Sequence, residues 1–421
     1  MPVDLARRRR GPPDPRGVTP AERALADAHR AEWALVVAAT ARLTRDLDLA
    51  EECVQDAYLS ALEAWERDGV PAKPGAWLTT TARRKALDAL RRDRTLRTKL
   101  HLLLEPEDDE PVAADEIPDD RLRLVFTCCH PVLAQEAQVA LTLRLVCGVA
   151  TPDIAKALLV SEPTMAARLT RAKKRVAAAA VRYEVPSAAA LPDRLDSVLT
   201  VVHLLFTTGH TAPSGAELVR ADLVERSIDL ARMLRALMPD EPEVAGLLAL
   251  LLVTDARRAT RASESGLTLL ADQDRARWDR AAIDEGDELI VWALRRGSPG
   301  RFTLQAAIAA LHATAPSAEE TDWPQIRTLY DALLKVWPTP VVALNRAVAT
   351  DRVAGPEAAL AEVEPLSEQL SGYRYLHAVK ADLLRRLHRV DEARASYEAA
   401  LALTDNETER DFLRARLGEL G

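Results

Sequence analysis

An all-α fold is the expectation for this 421-residue chain, and three observations carry it. Residues counted as hydrophobic make up 48% of the chain but aromatics only 4%, so the cores rest on Ala, Leu and Val, a mixture that favours helices. Apolar positions recur at three- and four-residue spacing along most of the chain. The breaks between those runs are short and rich in Gly, Pro and Asp, which are turn residues.

Residues 1–20 read as an unstructured arm, with Arg7 to Arg10 followed by Gly and Pro. From Ala21 to Trp65 the pattern is helical. Ala34, Val37, Ala38 and Ala41 make one stripe; Leu49, Cys53, Ala57 and Ala61 make another, small enough to imply close helix contact. Asp68 to Pro71 and Pro74-Gly75 break the pattern. A third helix runs from Ala76 to Arg92, with Trp77, Leu78, Ala82, Ala86 and Leu90 inward and Arg83, Arg84, Lys85 and Arg91 outward. Residues 105–120 then carry nine acidic residues and no Lys or Arg. Extended, that spacer reaches about 50 Å and reads as a mobile joint.

A second helical block follows. Leu122–Phe126 and Leu133–Leu145 read as helices broken near His130-Pro131. Thr151 to Leu158 reads as a short helix capped by Thr151, with Pro152 at its first position. Leu159-Val160 is a tight turn, and Ser161 caps the next helix. The second helix of such a helix–turn–helix normally enters the DNA major groove. Beyond it the expected helices are Leu191–Thr207, Gly215–Leu237, Val244–Ala259, Ser263–Leu270, Ala281–Arg296, Thr303–Ala315 and Trp323–Leu334. In the tail Ala347, Ala359 and Val363 recur 34 residues later as Ala381, Ala393 and Tyr397, with Ala400 completing the second unit. This is the tetratricopeptide period. It predicts helical layers in series, a helix pair at about 371–403 and a closing helix near 406–418.

Charge divides the chain. Residues 1–100 are net +4, residues 121–186 net +6, and residues 187–421 net -9, within an overall -8. The front suits a polyanion and the rear does not. No apolar run reaches 18 residues and no secretory segment opens the chain, so a cytoplasmic protein is expected, with no membrane partner. Cys128-Cys129-His130 lacks the C-x-x-C spacing of a metal site and reads as helix packing; no metal and no cofactor are expected. There is no phosphate loop, serine elbow or metal carboxylate set, so the chain does not read as an enzyme.

Three groups of side chains carry the functional expectation. Arg83, Arg84, Arg91 and Arg92 on the first basic helix suit phosphates. Thr164, Ala167, Arg168 and Arg171 share one face of the second helix–turn–helix helix. There Arg can grip guanine by two hydrogen bonds, and Thr or Ala can meet a thymine methyl. Lys173, Lys174 and Arg175 suit phosphates, while Met165 and Leu169 face a core. Glu51, Glu52, Gln55 and Asp56 form an acidic face that suits a basic groove on a protein partner. For all three groups a solvated helix face is the plain alternative.

Leu47 to Tyr58 resembles the core-polymerase-binding segment of bacterial sigma factors of the extracytoplasmic-function class. Ala76 to Asp88 with its Arg-rich end resembles that family's promoter -10 segment, and residues 122–175 its -35-reading domain. A subgroup with a long C-terminal extension is suggested by Phe126 to Pro131, Leu269 to Asp279, Leu304 to Ala313 and Val342 to Ala349. The resemblance implies a region 2-like domain at 21–100, an acidic linker at 105–120 and a region 4-like domain at 121–182. A helical extension at 187–334 and a tetratricopeptide-like domain at 335–421 would follow. It implies -10 DNA binding by Trp77, Thr80, Arg83, Arg84, Lys85, Arg91 and Arg92. It implies -35 DNA binding by Thr164, Ala167, Arg168, Arg171, Lys173, Lys174 and Arg175, and polymerase binding by Glu51, Glu52, Gln55 and Asp56. Core RNA polymerase and promoter DNA are the implied partners, with a small YCII-like protein as a further one, and the extension is the implied regulator or scaffold. The alternative is a stand-alone helix–turn–helix regulator with a ligand-sensing C-terminal domain. An interaction protein without DNA activity fits the basic helices less well.

Overall fold

Pro20 opens the first helix because Thr19 and Glu22 form a reciprocal capping box before it, Thr19 accepting from the Glu22 amide. The computed structural model describes residues 19–100, 120–158, 160–210, 214–215, 219–263 and 266–420. The Arg7–Arg10 arm and positions 105–119 of the acidic linker lie outside them. Among the described residues are eighteen α-helices, a few 3-10 turns and two minimal strand pairs. The chain divides into two compact units, residues 1–198 and 199–421, with the boundary inside one helix, α8 (Leu191–His210).

In the first unit, α1 (Pro20–Thr44), α2 (Leu47–Asp68) and α3 (Pro74–Leu100) pack on one another. Arg45, in the left-handed conformation at φ 52°, and the Asp46 cap make a two-residue corner between α1 and α2. Of the expected α2 stripe Cys53, Ala57 and Ala61 are buried and Leu49 is half-buried, Ala50 being buried in addition; of the α1 stripe Val37, Ala38 and Ala41 are buried and Ala34 half-buried, with Val36 buried beside them. Then come α4 (Asp120–Cys128), α5 (Gln135–Leu145), α6 (Thr151–Ala157) and α7 (Glu162–Ala178). α4 packs on both α1 and α5, and α7 packs on α5 and α6. Thr151 is not the cap of α6. Ala150 holds that position without a side-chain bond, and Thr151 and Pro152 form the first helical turn. A proline tolerates either of the first two positions, since neither amide is needed there. Ser161 does cap α7, accepting from the Thr164 amide.

The second unit is built on α10 (Pro242–Asp255), whose ten residues Val244 to Val253 are all buried. A helix apolar all round must be covered all round. α9 (Ala221–Leu237), α11 (Arg280–Leu294) and α12 (Arg301–Thr314) do so. Gly246 is the point of closest approach: a Cβ there would lie 2.6 Å from the Thr303 backbone nitrogen. One turn earlier, Glu243 accepts from the amides of Phe302 and Thr303 and from the Thr303 hydroxyl at 2.8, 3.1 and 2.6 Å. A carboxylate of α10 thus caps α12.

From α12 onward each helix packs on the next: α13 (Trp323–Val336), α14 (Pro340–Ala354), α15 (Pro356–Val363), α16 (Arg374–Arg386), α17 (Val390–Ala402) and α18 (Glu407–Gly418). The starts of α14 and α15 recur 34 residues later as the starts of α16 and α17. Ala381, Tyr397 and Ala400 sit in one core with Leu413 of α18. Two expected helical stretches are not helical. Ser214–Gly215 is a strand paired in parallel with Asp405–Asn406, and α9 starts only at Ala221. Ala262–Ser263 pairs antiparallel with Gly266–Leu267, and α18 packs against the latter strand. The series of layers therefore returns to its own beginning. Glu409 of α18 holds Arg374, Tyr375 and Thr404 at 2.6–2.9 Å, close to that junction.

Candidate nucleic-acid interface

On α3, alternation of small apolar and basic residues puts Leu78, Ala82 and Ala86 in the core and leaves Thr80, Arg83, Arg84, Arg91 and Arg92 exposed. Trp77 is half-buried, edge-on to Trp65 at 5.8 Å, and the Thr80 hydroxyl bonds its own helix at Ala76. Lys85 lies 3.9 Å from Asp56 of α2. On α7, Met165, Leu169, Ala172 and Val176 are buried at helical spacing. Thr164, Ala167, Arg171, Lys174 and Arg175 are exposed on the other side, with Arg168 half-buried.

Glu51 and Lys173, expected to serve polymerase and DNA respectively, meet each other. The Glu51 carboxylate is buried; it takes Arg144 at 2.5 Å and Lys173 at 2.6 Å, and Gln55 donates to it at 2.8 Å. Lys173 reaches Asp48 as well, at 2.8 Å, and its side chain is only 12% exposed. Glu52, Gln55 and Asp56 remain exposed. Burial opposes the charge on Lys173, but its hydrogen bonds to Asp48 and Glu51 outweigh that and raise its pKa above the ordinary lysine range. A raised pKa means the stabilisation is complete below the ordinary lysine value and fades only as pH rises through the shifted one. Lys173 therefore stays charged throughout the neutral range.

The cluster joins α2 to α5 and α7, and other contacts bring the α1–α3 and α4–α7 parts of this unit together. The Trp33 indole donates to the Leu145 carbonyl at 3.1 Å. The Tyr183 hydroxyl donates toward the carbonyls of Ala38 and Asp120. Gly148 adopts φ 67° where a Cβ would sit 2.7 Å from the His29 ring. In the sequence Arg144 enters only within the 122–175 stretch, with no role assigned to it, yet it carries a signal of its own. It is the lone charge in the apolar run Val139 to Val149, and a charge there needs a buried partner. Cys128 and Cys129 are buried, and burial raises both thiols, Cys129 to about 12, so they are protonated at neutral pH.

A basic helix on a three-helix module and a helix–turn–helix on the next find their counterparts among known families. Residues 29–95 match sigma-70 region 2, and residues 123–176 match sigma-70 region 4. Together the two regions indicate an RNA polymerase sigma factor of the sigma-70 type. Residues 194–294 of this sigma factor match a further family of unknown function, DUF6596. The sigma factor is also 46% identical, over 387 residues, to an uncharacterized protein of Rhizobium meliloti (strain 1021), covering 90% of this chain and 92% of that one. The sigma-70 regions imply core RNA polymerase and promoter DNA as partners. Among its described residues no helix is long and apolar enough to cross a membrane.

Proposed function

We propose that this sigma factor belongs to the extracytoplasmic-function class and selects promoters through two separate contacts, with its extension regulating or scaffolding them. α3 takes the -10 element, through phosphate contacts by Arg83, Arg84, Arg91 and Arg92 and with Trp77, Thr80 and Lys85 alongside. α7 reads the -35 element through Thr164, Ala167, Arg168 and Arg171, flanked by Lys174 and Arg175. The exposed acids of α2, Glu52 and Asp56, with Gln55, face core polymerase, and Glu51 and Lys173 join their partners once their mutual pairing is released. The observation that carries the reading is the pairing of region 2 and region 4 in one chain, each with a basic helix face free of its own core. The 34-residue recurrence of helix starts supports a tetratricopeptide-like tail.

The test is reconstituted transcription with core polymerase and a promoter library. Transcripts from a defined promoter subset, dependent on the added chain, are expected. Sequence-specific binding to duplex DNA without polymerase binding would favour a stand-alone regulator instead. Within the -35 contact, Arg171→Ala is expected to relax base preference at one position, because a lost bidentate contact is worth about 1–3 kcal/mol. Lys174→Ala is expected to weaken all sequences alike and to lower the salt slope by about 1. Uniform loss across the library for Arg171→Ala would make that residue a phosphate contact.

A further inference from the structure

The second unit contains a cavity of about 340 Å³, formed where α10 meets α12, α13 and α14, that the sigma-type functions do not use. Its walls are largely apolar and aromatic, including Val253, Ile308, Trp278 and Trp337. One full charge lines it, Arg257, at the end of α10. The neighbouring acid, Asp255, is taken by Arg258 through two hydrogen bonds of 2.7 Å. No side chain among the described residues gives the Arg257 guanidinium a hydrogen bond or an ion pair, and no Asp or Glu lines the cavity. Arg257 is half-buried on the cavity wall, and burial lowers its pKa with no compensating anion beside it.

A guanidinium cannot shed this cost by losing its proton near neutrality, and buried charges in proteins are paired. We infer that the missing partner is a ligand: a small carboxylic acid with an apolar or aromatic body, its carboxylate on Arg257 and its body against Trp278 and Trp337. The two histidines on the wall, His203 and His312, are pushed down to about 4 by burial and by nearby arginines, so they are neutral polar groups at pH 7. Arg275 and Arg301 lie over the Trp278 and Trp337 rings, 4.6 and 5.1 Å from their centroids, without lining the cavity, so Arg257 is the single full charge on its wall. A monoanion neutralises it; a phosphate dianion leaves one charge buried in an apolar pocket. Cavity size and lining match those of small-molecule sites, which join apolar walls to a few placed polar groups.

The experiment is titration calorimetry and thermal unfolding of the full chain with phenylacetate and octanoate, set against phenylacetamide, octylamine and inorganic phosphate. Saturable binding of at least one acid, with a concentration-dependent rise in unfolding temperature, is expected. The matched neutral, cationic and phosphate probes are expected to bind at least about tenfold more weakly. Arg257→Met is expected to weaken the acid by about tenfold or more, and Arg257→Lys by less. If Arg257→Met does not fold, Ala309→Phe, which fills the cavity and leaves Arg257 in place, is expected to abolish binding. Binding of neither acid at millimolar concentration, equal affinity for the amide or phosphate, or unchanged affinity in the substituted proteins would overturn the assignment. None of these readouts involves polymerase or promoter DNA, so they stand apart from the proposed role in initiation.

Discussion

Glu51→Ala is expected to destabilise the first unit by about 3–5 kcal/mol, the usual cost of removing one member of a buried ion pair. Two cations, Arg144 and Lys173, would then share a poorly solvated space with only Asp48 nearby. Trp33 reports the event, because its buried indole bonds Leu145 on the other module. The measurement is denaturant unfolding of the full chain followed by tryptophan fluorescence, with near-ultraviolet dichroism as a second probe. A second consequence separates this from simple loss of fold. Loosening the pair frees Lys173, so the more conservative Glu51→Gln is expected to raise affinity for duplex DNA and to steepen its salt dependence by about one phosphate contact. Restoring an apolar core by combining Glu51→Leu, Arg144→Met and Lys173→Met is expected to recover most of the stability. An unchanged midpoint in Glu51→Ala together with unchanged DNA affinity in Glu51→Gln would remove the cluster from the account of both stability and DNA access.

Gly246→Ala is expected to lower the stability of the second unit by about 3 kcal/mol or more. Alanine normally gains about 1 kcal/mol over glycine inside a helix. Here that gain is overruled, because the new methyl meets the backbone of Thr303, which cannot rotate away. Moving α12 to make room also pulls Phe302 and Thr303 from the Glu243 carboxylate, a cap that is worth about 1 kcal/mol by itself. Calorimetry of the full chain checks this: the transition belonging to the second unit drops while that of the first unit stays in place. A raised or unchanged transition would mean that the α10–α12 approach is looser than described.

The helices themselves were largely readable in the sequence, since each buries a local stripe that three- and four-residue spacing reveals. Ser161, the small stripe of α2 and the tail repeat all follow from neighbours within a few residues. The misread stretches are those decided by distant partners. Ser214–Gly215 owes its extended form to Asp405–Asn406, and nothing local distinguishes it from a helix start. Ser263 pairs across a reversal that its flanking apolar residues mask. The same holds for the candidate site. The exposed faces of α3 and α7 are local patterns and were legible. Glu51 reads locally as one acid among several on an open face. Its burial depends on Arg144 and Lys173, which lie 93 and 122 residues away.

The pairing of Ser214–Gly215 with Asp405–Asn406 changes how the rear of the chain comes into being. An open stack of repeats can nucleate anywhere and fray from either end, each layer depending only on its neighbours. A stack whose last layer is stitched to its first loses that freedom. Bringing residue 214 to residue 405 carries a large loop-closure entropy, recovered only when the intervening helices are in place. During synthesis the early strand must therefore wait, unpaired, until residues 405–406 have left the ribosome. Loss of residues 405–421 would remove both the partner strand and α18, exposing the beginning of the unit as well as its end. The unit spanning residues 199–421 is in this sense a single cooperative object.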